Sequence, residues 1–166
     1  MLSDPRVLGM EELLKQKVSE TVADVFEVLF SISTRPLDDS PPRRLRNTEE
    51  RYIEVRIDVS RGDRFPAYFF FPEKLAMGVA HNFMGLEGSS LGDDKIKTVV
   101  NEAVRMTVGG LLGKIDPDAE CAIGDPTARQ LEGFSPGHLY GAPGTYVYET
   151  EFGCLWMDLS NIDKCC

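Results

Sequence analysis

The chain has 166 residues, enough for one domain, 1–166, with a substantial apolar core. Its 27 acidic residues against 18 basic ones give a formal net charge of -9, which repels phosphate backbones and anionic lipid, so neither nucleic acid nor a membrane is expected as a partner. No apolar run reaches the roughly 18 residues of a membrane span, and the opening MLSDPRVLGMEELL has acid and proline where an export signal has a basic start and an apolar block, so the expected location is cytoplasmic.

The four cysteines, Cys121, Cys154, Cys165 and Cys166, are accordingly expected as reduced thiols, with the vicinal pair in a tail. There is no CxxC, and His81 and His138 stand apart without zinc-ligand spacing; no metal site and no bound cofactor are expected. The one basic stretch, PPRRLR at 41–46, lies among prolines and aspartates and reads as a solvated loop.

In chain order, Leu14, Val18, Val22, Phe26 and Leu29 recur at helical spacing and predict a long helix over about 10–31. The prolines and charges of 33–50 break that period and predict a loop or an irregular strand. From 52 the pattern alternates, with Ile53, Val55, Ile57 and Val59 on one side and Glu54, Arg56 and Asp58 on the other, as in a half-buried strand. SRGD at 60–63 turns it, with Gly62 supplying a positive φ; the RGD triplet is read as this hairpin turn, not as an adhesion motif. The partner strand RFPAYFFF is nearly continuously apolar, as expected of a sheet covered by helices.

PEKLAMGVAHNFMG predicts a short helix with Pro72 in its first turn, Leu75, Ala76, Val79, Ala80 and Phe83 buried, and a stop at Gly85. Asp93 or Asp94 then caps a longer helix over about 94–114, whose inner stripe is Ile96, Val99, Val100, Ala103, Thr107 and Leu111. At about 100° per residue, Thr98, Glu102, Arg105 and Gly109 align on its outer face. After Pro117, AECAIG, TARQLEGF, TYVYETE and FGCLWMDL are short β-rich runs. The expected class is α+β: two long helices and a short helix on a mainly antiparallel sheet, in the order helix, strands, helix, helix, strands.

The two long helices share an echo, SETVADVF and NEAVRMTV. With it, VSETVADVFEVLFSI, FFFPEKLAMGVAHNFMG, DDKIKTVVNEAVRMTVGGLL and CAIGDP together resemble the first helix, the strand and short helix, the active helix and the following strand of the CheX branch of the CheC, CheX and FliY chemotaxis phosphatases. Family members carry Glu, two residues, Asn, and a glycine four residues later; Glu102 and Gly109 fit, and Arg105 occupies the Asn position. Glu20 is followed by Ala23 at the equivalent spacing of the first helix, which fits CheX, where only the later helix is a site.

The resemblance implies a substrate, the aspartyl phosphate of a CheY-like receiver that brings its own Mg²⁺ and lysine. The glutamate pairs with that lysine and the Asn carboxamide orients a water in line with phosphorus, which needs a donor and an acceptor on one short arm. A guanidinium donates only, so Arg105 can stabilise phosphoryl charge but cannot accept from the water. Two functions stay open: a phosphatase with Glu102 and Arg105 as catalytic pair, and a noncatalytic receiver-binding or dimerisation module. In both, Thr98, Glu102, Arg105 and Gly109 face the partner. A small-molecule phosphatase is less supported, since no nucleophile, base and oxyanion constellation shows. Read without the resemblance, Glu102 and Arg105 are an exposed ion pair on a structural helix. Asn101 is turned about 100° from Glu102 and is a poor substitute for the missing Asn. The resemblance also implies a homodimer, for which TYVYETEFGCLWMDL, with Trp156 inside or beside the interface, is the expected source of strand.

Overall fold

The computed structural model describes residues 5–37, 51–85, 91–118 and 120–162; the basic stretch at 41–46 and the Cys165–Cys166 pair lie outside them. The first helix is longer than its apolar period suggests. It comprises α1 (Pro5–Ala23) and a π-helical turn (Asp24–Leu29) that continues it. Val18, Val22 and Phe26 are buried as the spacing requires. Leu29 is not, at 46% exposed, and Phe30 takes its place in the core. The wider i→i+5 turn rotates every later position backwards relative to an α-helix, so the stripe skips one residue. Ser31, at φ 54, ends the helix, and the Ile32 N–H reaches back to the Phe26 carbonyl at 2.9 Å.

A two-residue β1 (Arg35–Pro36) precedes the hairpin of β2 (Tyr52–Arg61) and β3 (Asp63–Pro72), which turns at Gly62 with φ +79. Pro72 ends β3 and caps α2 (Glu73–Met84) without entering its first turn, and Gly85 closes α2 in the left-handed conformation. α2 buries Leu75, Ala76, Val79 and Ala80 as expected, but Phe83 remains 48% exposed at the helix end, with its ring against Phe30. α3 (Asp93–Ile115) is capped by Gly92; Asp93 and Asp94 lie in its first turn, where their charge meets the positive end of the helix dipole. Among the described residues four strands follow: β4 (Ala122–Ile123), β5 (Thr127–Leu131), β6 (Thr145–Thr150) and β7 (Gly153–Asp158).

All strand pairings are antiparallel, in the order β1-β6-β7-β3-β2-β4, with β5 also on β2. The alternation in β2 sends Ile53, Val55, Ile57 and Val59 to the helical side, where Phe69, Phe71, Leu155 and Met157 join the inner faces of the three helices in one core. The opposite side is covered differently from the expectation. Tyr52, Phe70, Val147 and Trp156 pack there under Phe134, Leu139 and Tyr140, which belong to the segment around a 3₁₀ turn (Pro136–Leu139), not to a helical layer. Trp156 is 0% exposed and β7 lies inside the sheet between β6 and β3, so of the expected interface stretch only β6, beside the two-residue β1, lies near an edge. Within the described residues the sheet has two edges, one formed by β4 and β5 and the other by β6, which the two-residue β1 covers only in part.

α1 and α3 pack against each other, and the echo between them is an echo of burial: Thr21, Val22, Val25 and Phe26 face inward as Ala103, Val104, Thr107 and Val108 do. The two come close at Gly110, where an added Cβ would stand 3.1 Å from the Thr21 Cγ2. Thr21 is held by the bond its Oγ1 donates to the Lys17 carbonyl, 2.7 Å.

Candidate functional site

The inner stripe of α3 is buried as its period predicts, with Val104, Val108 and Leu112 added. This fixes the rotation of the helix, so its outer line is set by the core. Thr98 is exposed and turns its hydroxyl to the Asp94 carbonyl, 2.9 Å. Glu102 and Arg105 follow with side chains 37% and 47% exposed, joined by an ion pair of 3.0 Å between Oε2 and Nη1. Gly109 ends the line half-buried, where a Cβ would meet only Ile123, at 3.7 Å.

The structure adds a residue that the helical period could not supply. Val59 pairs with Ile123 and Arg56 with Thr127, so Ile57 and Asp58 oppose Gly124, Asp125 and Pro126: the edge strand carries one extra residue. The Gly124 N–H still bonds the Asp58 carbonyl, 2.8 Å, and Pro126 is buried. Asp125 is thrown outward, 98% exposed, and its Oδ1 lies 3.4 Å from the Nη2 of Arg105. Gly and Pro on either side of an Asp within a β-rich run were the signal for it.

The return from α3 to this strand is fixed by Asp116. Its carboxylate accepts the Cys121 N–H at 2.7 Å. That bond, with help from the Glu120 N–H, the Cys121 thiol and the Arg61 charge, holds the carboxyl below its ordinary range against the opposing effect of burial. Arg61 also pairs with Glu120 across the same return.

Asn101 does not lie on the outer line. Its Oδ1 is enclosed, and no hydrogen bond to it is formed within the described residues. The exposed polar groups between Thr98 and Gly109 are thus a carboxylate and a guanidinium, with a second carboxylate from the sheet edge. Among the described residues no three His, Cys, Asp or Glu side chains are placed to hold a metal ion, and no helix is long and apolar enough to cross a membrane. Among the described residues Cys121 and Cys154 form no disulfide.

Fold and site together define a class: an α+β domain that presents one charged helix face above the edge of an antiparallel sheet. That fold is the one found in CheX and CheC-like chemotaxis proteins. The chemotaxis protein CheX of Vibrio vulnificus superposes with a TM-score of 0.66 at 16% identity, over 87% of this chain and 93% of that one. CheX of Desulfovibrio desulfuricans gives 0.65 at 11%, over 87% and 95%. A CheX–CheY–BeF3–Mg²⁺ complex from Borrelia burgdorferi gives 0.59 at 10%, over 86% and 93%. No protein-family model and no curated protein matches the sequence.

Proposed function

We propose that this chain binds a phosphorylated CheY-like receiver through the outer face of α3 and promotes hydrolysis of its aspartyl phosphate only weakly. The observation that carries the reading is the Glu102–Arg105–Asp125 group, displayed on the outer line of α3 in a CheX-like fold. A CheX of this fold has been solved with CheY. That supports a receiver as the partner here, with Glu102 offered to the receiver's lysine and Mg²⁺ supplied by the receiver. Thr98 and Gly109 border the contact, the glycine leaving room for close approach.

Weak turnover follows from donor and acceptor chemistry. Water positioning needs an acceptor as well as a donor, and Arg105 has none. It is also engaged by two carboxylates. A second reading, a binding module with no turnover, is favoured by Asn101, whose carboxamide oxygen is enclosed and cannot stand in. We also assign the protein to the cytoplasm, where such receivers work, and to a homodimer, since β6 is covered on its outer side only by the two-residue β1 and leaves an edge for strand pairing. Light scattering at tens of micromolar tests the dimer, and a monomeric mass overturns it.

The decisive experiment takes CheY-like receivers encoded in the same genome and measures binding in the beryllofluoride–Mg²⁺ state and the lifetime of the aspartyl phosphate, each with and without this protein. Binding with a modestly shortened lifetime supports the first reading. Binding with an unchanged lifetime supports the second. No binding by any receiver overturns both.

A further inference from the structure

Arg105 stands between two carboxylates that reach it from different elements. Its Nη1 meets Glu102 on its own helix at 3.0 Å, and its Nη2 meets Asp125 on the bulged sheet edge at 3.4 Å. Two carboxylates against one guanidinium leave the group with a net charge of -1. A cation brought by a partner would balance it, and Glu102 can serve that cation only by loosening its hold on Arg105.

From this geometry we infer that Asp125 is a positioning residue: it is the second seat of Arg105, taking the guanidinium when Glu102 is given to a cationic group of the partner. The inference rests on the reading that the outer face of α3 docks a receiver, and it extends that reading to a residue outside the helix. Without Asp125, a partner's ammonium arriving at Glu102 would face an unbalanced guanidinium three residues away, and like charges in contact oppose binding. With Asp125, the four groups form two pairs. The bulge is what makes this possible, because a regular ladder would alternate sides and would not turn Asp125 toward α3. The fold does not depend on this seat, since the Asp125 side chain is 98% exposed.

A double-mutant cycle tests it with cognate receivers loaded with beryllofluoride and Mg²⁺ as the probe. Affinity is measured for the wild type, Asp125→Asn, Arg105→Ala and the combined variant, with Glu102→Lys alongside. Asp125→Asn is expected to weaken binding by about two- to fivefold when Arg105 is present, the range spanned by exposed ion pairs, and to have no effect when Arg105 is alanine. An equal loss in both backgrounds would mean that Asp125 touches the partner itself, and no loss in either would mean that it is idle; each overturns the inference. If Glu102→Lys also binds like the wild type, the docking face itself is wrong. If Glu102→Lys fails to bind while Asp125→Asn is unimpaired, the face stands and only the second seat falls.

Discussion

Asp125 reaches Arg105 from twenty residues further along the chain, on a different element, and the 3.4 Å between them exists because the strand at the sheet edge holds one residue too many. The relationship joins two independent constraints. The core sets the rotation of α3 and hence the direction of Arg105; the pairing with β2 sets the position of Asp125. Neither constraint involves the charges themselves, whose attraction across an exposed surface contributes only about 0.2–1 kcal/mol. The site is therefore positioned by the fold and not by its own interactions.

Glu102→Lys is expected to abolish or strongly weaken receiver binding while leaving the protein folded. The substitution replaces a half-exposed side chain, so the cost to stability is confined to one helix-surface pair, a few tenths of a kcal/mol. At the docking face it turns attraction for the receiver's lysine into repulsion. Calorimetric titration with a beryllofluoride-activated receiver checks it, and unchanged affinity would place the docking surface elsewhere.

The adjacent glycines of α3 are expected to respond differently to alanine. At Gly109 a Cβ meets only Ile123, at the ordinary distance of 3.7 Å, so Gly109→Ala gains helix propensity, up to about 1 kcal/mol. At Gly110 the Cβ would lie 3.1 Å from a Thr21 side chain pinned by its own hydrogen bond, so Gly110→Ala strains the α1–α3 crossing and forfeits most or all of that gain. Urea unfolding of both variants decides the matter. Equal stabilisation of the two would show that the helices separate without cost.

How much of this was legible in the sequence depended on whether one period governed a segment. The stripe of α3 and the alternation of β2 were read correctly because each side chain's burial follows from its place in a regular element. Leu29 was misplaced because a π-helical turn changes the period without any residue announcing it. Phe83 was misplaced because a short helix's stripe says nothing about where its neighbours end. Chain order alone does not reveal that β7, with Trp156, returns to lie between β6 and β3, so the stretch expected to supply an interface strand holds one interior strand. Spacing on one helix puts Glu102 and Arg105 on a common outer face and the resemblance singles them out, whereas Asp125 depends on strand register, which is a relation between two segments.

Asp116 is expected to make the protein's stability fall in acid. Its carboxyl is held below the usual range chiefly by the Cys121 N–H, so the ionised form is favoured in the folded state. Such a group stabilises the fold above its unfolded pKa of about 4, and the contribution is lost as the pH falls through the depressed folded value. Asp116→Asn keeps an acceptor but removes the charge. Its melting temperature should lie below that of the wild type at pH 7, with the gap closing below about pH 4. A gap that stays constant as the pH falls well below about 4 would remove the ionised carboxylate from the explanation.

Arg105→Asn is expected to raise the rate of receiver dephosphorylation. The position is exposed, so asparagine costs well under 1 kcal/mol in helix propensity, and the ion pairs lost are of the weak surface kind. In return a carboxamide stands three residues after Glu102, one turn along the same outer face, with both a donor and an acceptor for an attacking water. The substitution also leaves Glu102 without an intramolecular competitor for the receiver's lysine. Since correct placement of a nucleophile is worth orders of magnitude, an increase of about tenfold or more is expected. Phosphate release from one cognate receiver, measured with both proteins at equal concentration, is the check. If the wild type is already fast and Arg105→Asn is slower, the guanidinium itself takes part in hydrolysis, and its bonds to Glu102 and Asp125 hold it ready for the phosphoryl group.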